Sequence, residues 1–129
     1  MRAFLLLAMS IPLVSGAQSI ELKRTNTPIT IDGVLDQTWA LADSAYDFMQ
    51  YFPFDSSLAE AQTTAKILYD NNYIYVLGIM ENKPGKRDYV TPSFRRDFRG
   101  EANDGFTVIF DAFKDHTNGV VFGINPFGV

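Results

Sequence analysis

The chain has 129 residues, 47% hydrophobic and 14% aromatic, which is enough apolar material for one domain with its own core and too much for a disordered segment. A formal net charge of -4 argues against a nucleic-acid backbone or an anionic membrane surface as the main partner, because both favour a basic face. There is no cysteine, so disulfides, thiol catalysis and zinc-thiolate sites are excluded.

The N-terminus reads as a targeting segment. Arg2 supplies a positive n-region, Ala3 to Val14 is an apolar run too short for a comfortable membrane span, and Ser15-Gly16-Ala17 places small residues at a signal peptidase site. Export with cleavage after Ala17 is expected, leaving residues 18–129 as the mature domain. The expected location is the periplasm, the outer membrane or the extracellular space.

Two short strands follow, Ile20 to Lys23 and Ile29-Thr30-Ile31, separated by the turn material Asn26-Thr27-Pro28. Asp32-Gly33 predicts a tight turn. Asp36 then stands where its carboxylate caps a short helix over Gln37 to Leu41, with Trp39 and Ala42 three residues apart on one side. Trp39, the sole tryptophan, is read as a core anchor rather than a stacking surface. Tyr46 to Phe54 is rich in aromatics and predicts a half-buried edge strand ending at Pro53.

The strongest pattern is Ala65 to Glu81. Asp70-Asn71-Asn72 tolerates left-handed backbone angles and predicts a turn between two β-branched, aromatic-rich arms. The second arm is apolar on both faces, with Tyr73, Tyr75, Leu77 and Ile79 on one and Ile74, Val76, Gly78 and Met80 on the other, so it is expected to be a central, covered strand.

Residues 82–103 carry six of the eleven basic side chains, between Lys83 and Arg99, interleaved with Tyr89, Phe94 and Phe98. A segment of this length without strand pattern predicts a functional loop. Strands resume at Gly105 to Phe113, where Phe106, Val108 and Phe110 share a face. A turn over Lys114 to Gly119 leads to a last strand, Val120 to Asn125, stopped by Pro126.

The string from Ile29 to Ala42, I-T-I-D-G-V-L-D-Q-T-W-A-L-A, resembles the opening of family 9 carbohydrate-binding modules and their relatives in the DOMON-like β-sandwich group. Gln37 stands where an acidic residue is usual in that pattern. The Asp70-Asn71-Asn72-Tyr73-Ile74-Tyr75-Val76 step is similar to the same modules. Arg95-Arg96-Asp97, Asp104-Gly105-Phe106, Phe110-Asp111 and Phe122-Gly123-Ile124-Asn125-Pro126-Phe127-Gly128 resemble an exported bacterial family that joins such a sandwich to a C-terminal, outer-membrane barrel-like region.

The fold class expected is therefore all-β, an antiparallel, jelly-roll-like β-sandwich with one short helix. Because modules of this kind run on past the Asn-Pro step, a sandwich incomplete at its C-terminus is expected. The resemblance implies non-catalytic binding of an oligosaccharide or polysaccharide, within a larger protein of carbohydrate catabolism. Two alternatives stay open: an interaction domain of an outer-membrane barrel protein that binds no sugar, and a fragment of an O-glycosyl hydrolase.

Sugar binding needs flat aromatic faces and planar hydrogen-bonding groups. Candidates for it are Phe54, Tyr89, Phe94, Arg95, Arg96, Asp97, Phe98 and Asn103, with Phe52 as a further loop aromatic. Asp104, Asp111 and Asp115 are the candidate oxygen ligands for a structural Ca²⁺, the hard cation that the resemblance implies. His116, the sole histidine, lies in a turn-rich string with no nucleophile signature near it and supports no hydrolytic triad.

Overall fold

A computed structural model of the chain describes residues 19–81, 88–98 and 102–129. The predicted signal segment, and the basic residues Lys83, Lys86, Arg87 and Arg99, lie outside them. Among the described residues no helix is long and apolar enough to cross a membrane.

Among the described residues the elements are strands apart from one 3₁₀ helix of five residues. Its strands are β1 (Lys23–Arg24), β2 (Ser44–Ala45), β3 (Thr63–Tyr69), β4 (Ile74–Met80), β5 (Phe106–Phe110) and β6 (Val120–Ile124), with the helix (Gln37–Leu41) between β1 and β2. β3 pairs with β1, β2 and β4, and β5 pairs with β6 in a second, two-stranded sheet. The chain clusters into two compact units. One is drawn from the residues up to Ala45 with Lys66–Val76, the other from Tyr46–Ala65 with Leu77–Val129.

In the first unit, Asp36 caps the helix as its place in the sequence predicts. Its carboxylate accepts from the Thr38 N–H at 2.8 Å, and Ala42 closes the other end with its N–H on the Trp39 carbonyl. The helix is a short 3₁₀ turn, but it buries Trp39 and Ala42 to 5% and 6% exposure. Lys66 on β3 fastens the helix end from outside, because its ammonium donates to the carbonyls of Trp39 and Ala42 at 3.2 and 3.3 Å. Leu68 on β3 is fully buried.

The predicted hairpin is present. Asp70 donates its N–H to the Tyr73 carbonyl across the turn, and in the second unit Glu81 donates to Gln62 at the far end of the pair. The central strand, however, is the first arm rather than the second. β3 has partners on both edges, whereas Ile74 and Met80 at the ends of β4 are 52% and 43% exposed. β1 runs parallel to β3, with Lys23 opposite Leu68 and Arg24 opposite Tyr69, so this sheet is mixed rather than purely antiparallel.

Two predicted strands do not form. Ile29-Thr30-Ile31 has no partner and leaves Ile31 82% exposed, since alternation alone makes no ladder. Tyr46 to Phe54 is reduced to a tie. Ala59 donates to the Phe48 carbonyl and Gln50 to that of Ser57, and a single bridge joins Met49 to Leu58. The tip beyond this tie carries Tyr51, Phe52 and Phe54 into solvent.

In the second unit β5 and β6 are antiparallel, with Phe106 opposite Ile124, Val108 opposite Phe122 and Phe110 opposite Val120. These six side chains share one face, where the rings of Phe110 and Phe122 meet edge to face at 5.8 Å. Phe106 on that face presses on Gly78 of β4, where an added Cβ would stand 3.1 Å from the ring. β6 is exposed along its whole length.

Candidate functional site

The loop between β4 and β5 holds most of the predicted sugar contacts. Its base is tied by a reciprocal pair: Val90 donates its N–H to the Asp104 carboxylate, and Asp104 donates its own to the Val90 carbonyl, both at 2.7 Å. From this base Tyr89 and Phe94 stand 50% and 66% exposed. Phe94 meets Phe127 at a steep angle, ring centres 5.1 Å apart, while most of its surface stays in solvent. Arg95 and Arg96 follow, exposed, and Asp97 turns the chain through a left-handed backbone angle.

Phe98 is positioned differently. It is half-buried, with its ring over Gly105 and Gly123 on the β5–β6 sheet, where side chains on those glycines would meet it at 3.4–3.7 Å. Its contribution is to seat the loop rather than to offer a platform. Asn103 is half-buried beside the loop base. Phe54 stands on the separate tip at 51–56, 73% exposed.

The three carboxylates proposed for a cation are not brought together. Asp104 precedes β5 and Asp111 follows it, so roughly 20 Å of extended chain lies between them. Asp111 and Asp115 do share a turn, but as its fasteners. Asp111 accepts from the N–H groups of Asp115 and His116, and Asp115 from those of Thr117 and Asn118 and from the Asn118 amide. Among the described residues no group of three acidic or histidine side chains is placed to hold a metal ion. His116 is 93% exposed, as a solvated turn residue is.

A second site lies at the hairpin turn, in the first unit, where none of the predicted residues falls. A cleft of about 370 Å³ is bounded on one side by the Arg24–Pro28 segment and on the other by Asp70, Asn71, Asn72, Tyr73 and Tyr75. Arg24 reaches across it and donates from Nη2 to Asn71 Oδ1 at 2.6 Å. Asp70 organises the turn, with its Oδ1 accepting from the N–H groups of Asn72 and Tyr73 and its Oδ2 from the Tyr75 hydroxyl. Thr25, almost wholly buried, closes the floor by donating its N–H to Tyr69 and its hydroxyl to Thr27. The sequence shows Asp70-Asn71-Asn72 as a turn. Nothing local marks Arg24 as its partner, 47 residues away.

These bonds set a pH dependence. The Asn72 N–H, helped by the Tyr75 hydroxyl, holds the Asp70 carboxyl below the ordinary carboxylate range. The Lys23 ammonium does the same for Asp43, and the Asn118 N–H for Asp115. A lowered folded-state pKa gives stability that is present above the unfolded value, about 3.9, and is lost as the pH falls below it. Hydrogen bonding to Asp43 raises Lys23, and hydrogen bonding to Asp70 raises Tyr75, so their contributions are present at neutral pH and lost above about pH 10. Urea midpoints should therefore hold steady from neutral pH to about pH 5 and drop below pH 4. The Asp70→Asn chain should show a shallower acid slope than the parent.

No match was found among the curated proteins or among the solved structures. Residues 31–117, well over half of the chain, match the family of carbohydrate family 9 binding domain-like proteins. The match takes in the capped helix with Trp39, the hairpin and its turn, the loop with Phe94 and β5, and by it the chain belongs to the carbohydrate family 9 binding domain-like family.

Proposed function

We propose that the chain is a non-catalytic module that binds an oligosaccharide or polysaccharide and holds it near a carbohydrate-degrading or envelope-anchored region of a larger protein. The observation that carries this reading is the family match over residues 31–117. The loop geometry supports it. Phe94, largely exposed and in contact with Phe127, supplies an aromatic ring for the C–H side of a pyranose, and the exposed side chains of Arg95 and Arg96 follow it in the chain as hydroxyl-binding donors. In this reading residues 1–17 direct export, and the module works in the periplasm, at the outer membrane or outside the cell. β6, apolar and exposed along its length, favours a second reading in which this is a protein-interaction domain without sugar binding.

Thermal unfolding with and without millimolar cellohexaose or xylohexaose separates the two. Binding to the native state alone stabilises by RT ln(1 + [L]/Kd), about 2.7 kcal/mol at a hundredfold excess over Kd, so a rise of several degrees is expected. Phe94→Ala should remove most of that rise. A transition that neither sugar moves would decide for the interaction domain.

A further inference from the structure

We infer that the cleft at the β3–β4 turn is a second saccharide-contacting site, taking a neutral, polyhydroxylated ring against Tyr73. This rests on the carbohydrate-binding reading but not on the loop that carries Phe94.

The argument begins with charge. Arg24 and Asp70, of opposite charge, both line the cleft. An anion drawn to Arg24 would meet the Asp70 carboxylate, and a cation drawn to Asp70 would meet the guanidinium. An apolar ligand would strip water from the amides of Asn26, Asn71 and Asn72 without replacing their hydrogen bonds. A neutral polyol avoids all three penalties. Its hydroxyls both donate and accept, as a wall of guanidinium, amide and phenol groups requires.

Shape points the same way. Tyr73 is 65% exposed and lines the cleft, with its ring 6.0 Å from that of Tyr75 and tilted to it by 56°, so aromatic surface is available there. At about 370 Å³ the cleft falls within the range of small-ligand sites, roughly 300–1,000 Å³. A neighbouring cleft of about 450 Å³, bounded by Leu22, Tyr69 and Ile74, shares the Asp70–Tyr73 turn with it. Tyr73 thus borders both, and a ligand longer than one ring can cross the turn over it. The turn is also already rigid, since Asp70 takes two backbone N–H groups and a phenol, so little ordering remains to be done on binding.

The test is a ¹H–¹⁵N correlation titration of the full chain with cellohexaose and with xylohexaose, following the amides of Asn71–Tyr73 and of Phe94–Phe98 separately. The expected result is a saturable shift of the turn amides with at least one sugar. Tyr73→Ala should weaken that response about tenfold and leave the Phe94–Phe98 response unchanged, whereas Tyr73→Phe, which keeps the ring, should retain it. Shifts confined to Phe94–Phe98 would overturn the second site and leave the proposed function standing. Turn shifts that survive Tyr73→Ala would overturn it as well. No shift in either group, with either sugar, would overturn both.

Discussion

Leu68→Ala is expected to cost about 2–5 kcal/mol, read as a fall in the urea midpoint at unchanged slope. Among the described residues Leu68 is the large side chain with no exposure at all, and it sits on β3, which pairs with β1, β2 and β4. A cavity opened there cannot close by moving β3, because any shift of that strand strains its ladders with β1, β2 and β4. Few other groups share the load, since Trp39 and Ala42 are the remaining buried apolar side chains among the described residues. Domains are commonly stable by only about 5–15 kcal/mol, so this one change removes a large part of the margin. Leu68→Met, close in volume, should cost less than about 1.5 kcal/mol. Ile109→Ala, on a side chain 68% exposed, should stay within about 0.5 kcal/mol. Equal costs for Leu68→Ala and Ile109→Ala would refute this account of the core.

What the sequence makes legible here is what neighbours along the chain decide. Asp36 caps the helix because the N–H it needs is two residues away, and Asp70 builds the turn for the same reason. The alternation of Phe106, Val108 and Phe110 survives because β6 follows after one short turn and pairs in register with it. The all-β class follows from such local signals. Strand partners do not. Ile29-Thr30-Ile31 carries the same alternation as a true strand and remains a loop, while Lys23 and Arg24 find a parallel partner more than forty residues on.

The candidate site divides along the same line. Phe94 was identifiable as a loop aromatic, and the structure adds Phe127 as its support. Phe98 looks identical in sequence, yet it seats the loop on the sheet, because Gly105 and Gly123 leave room for its ring. The Arg24–Asn71 contact that closes the hairpin cleft depends on β1 lying beside β3, a pairing no local pattern announces.

Trp39→Ala tests the other half of the same unit and should cost about 3–5 kcal/mol. The indole is 5% exposed although it sits on a helix of only five residues, too short to be stable alone. The helix therefore persists because its side chain is buried and its end is fastened. Both fasteners converge on the Trp39 carbonyl, which accepts from the Ala42 N–H and from the Lys66 ammonium. Removing the indole leaves those bonds chemically possible but takes away the burial that holds the carbonyl in place. The loss should thus exceed that of Lys66→Met, which removes the two hydrogen bonds from a part-buried ammonium to the Trp39 and Ala42 carbonyls and leaves the packing. Trp39→Phe, which keeps an aromatic ring at the site, should fall between the parent and the alanine chain. Far-ultraviolet circular dichroism in urea reads all of these without the tryptophan signal. If Lys66→Met proved as costly as Trp39→Ala, the helix would be held by its carbonyl contacts rather than by its buried ring.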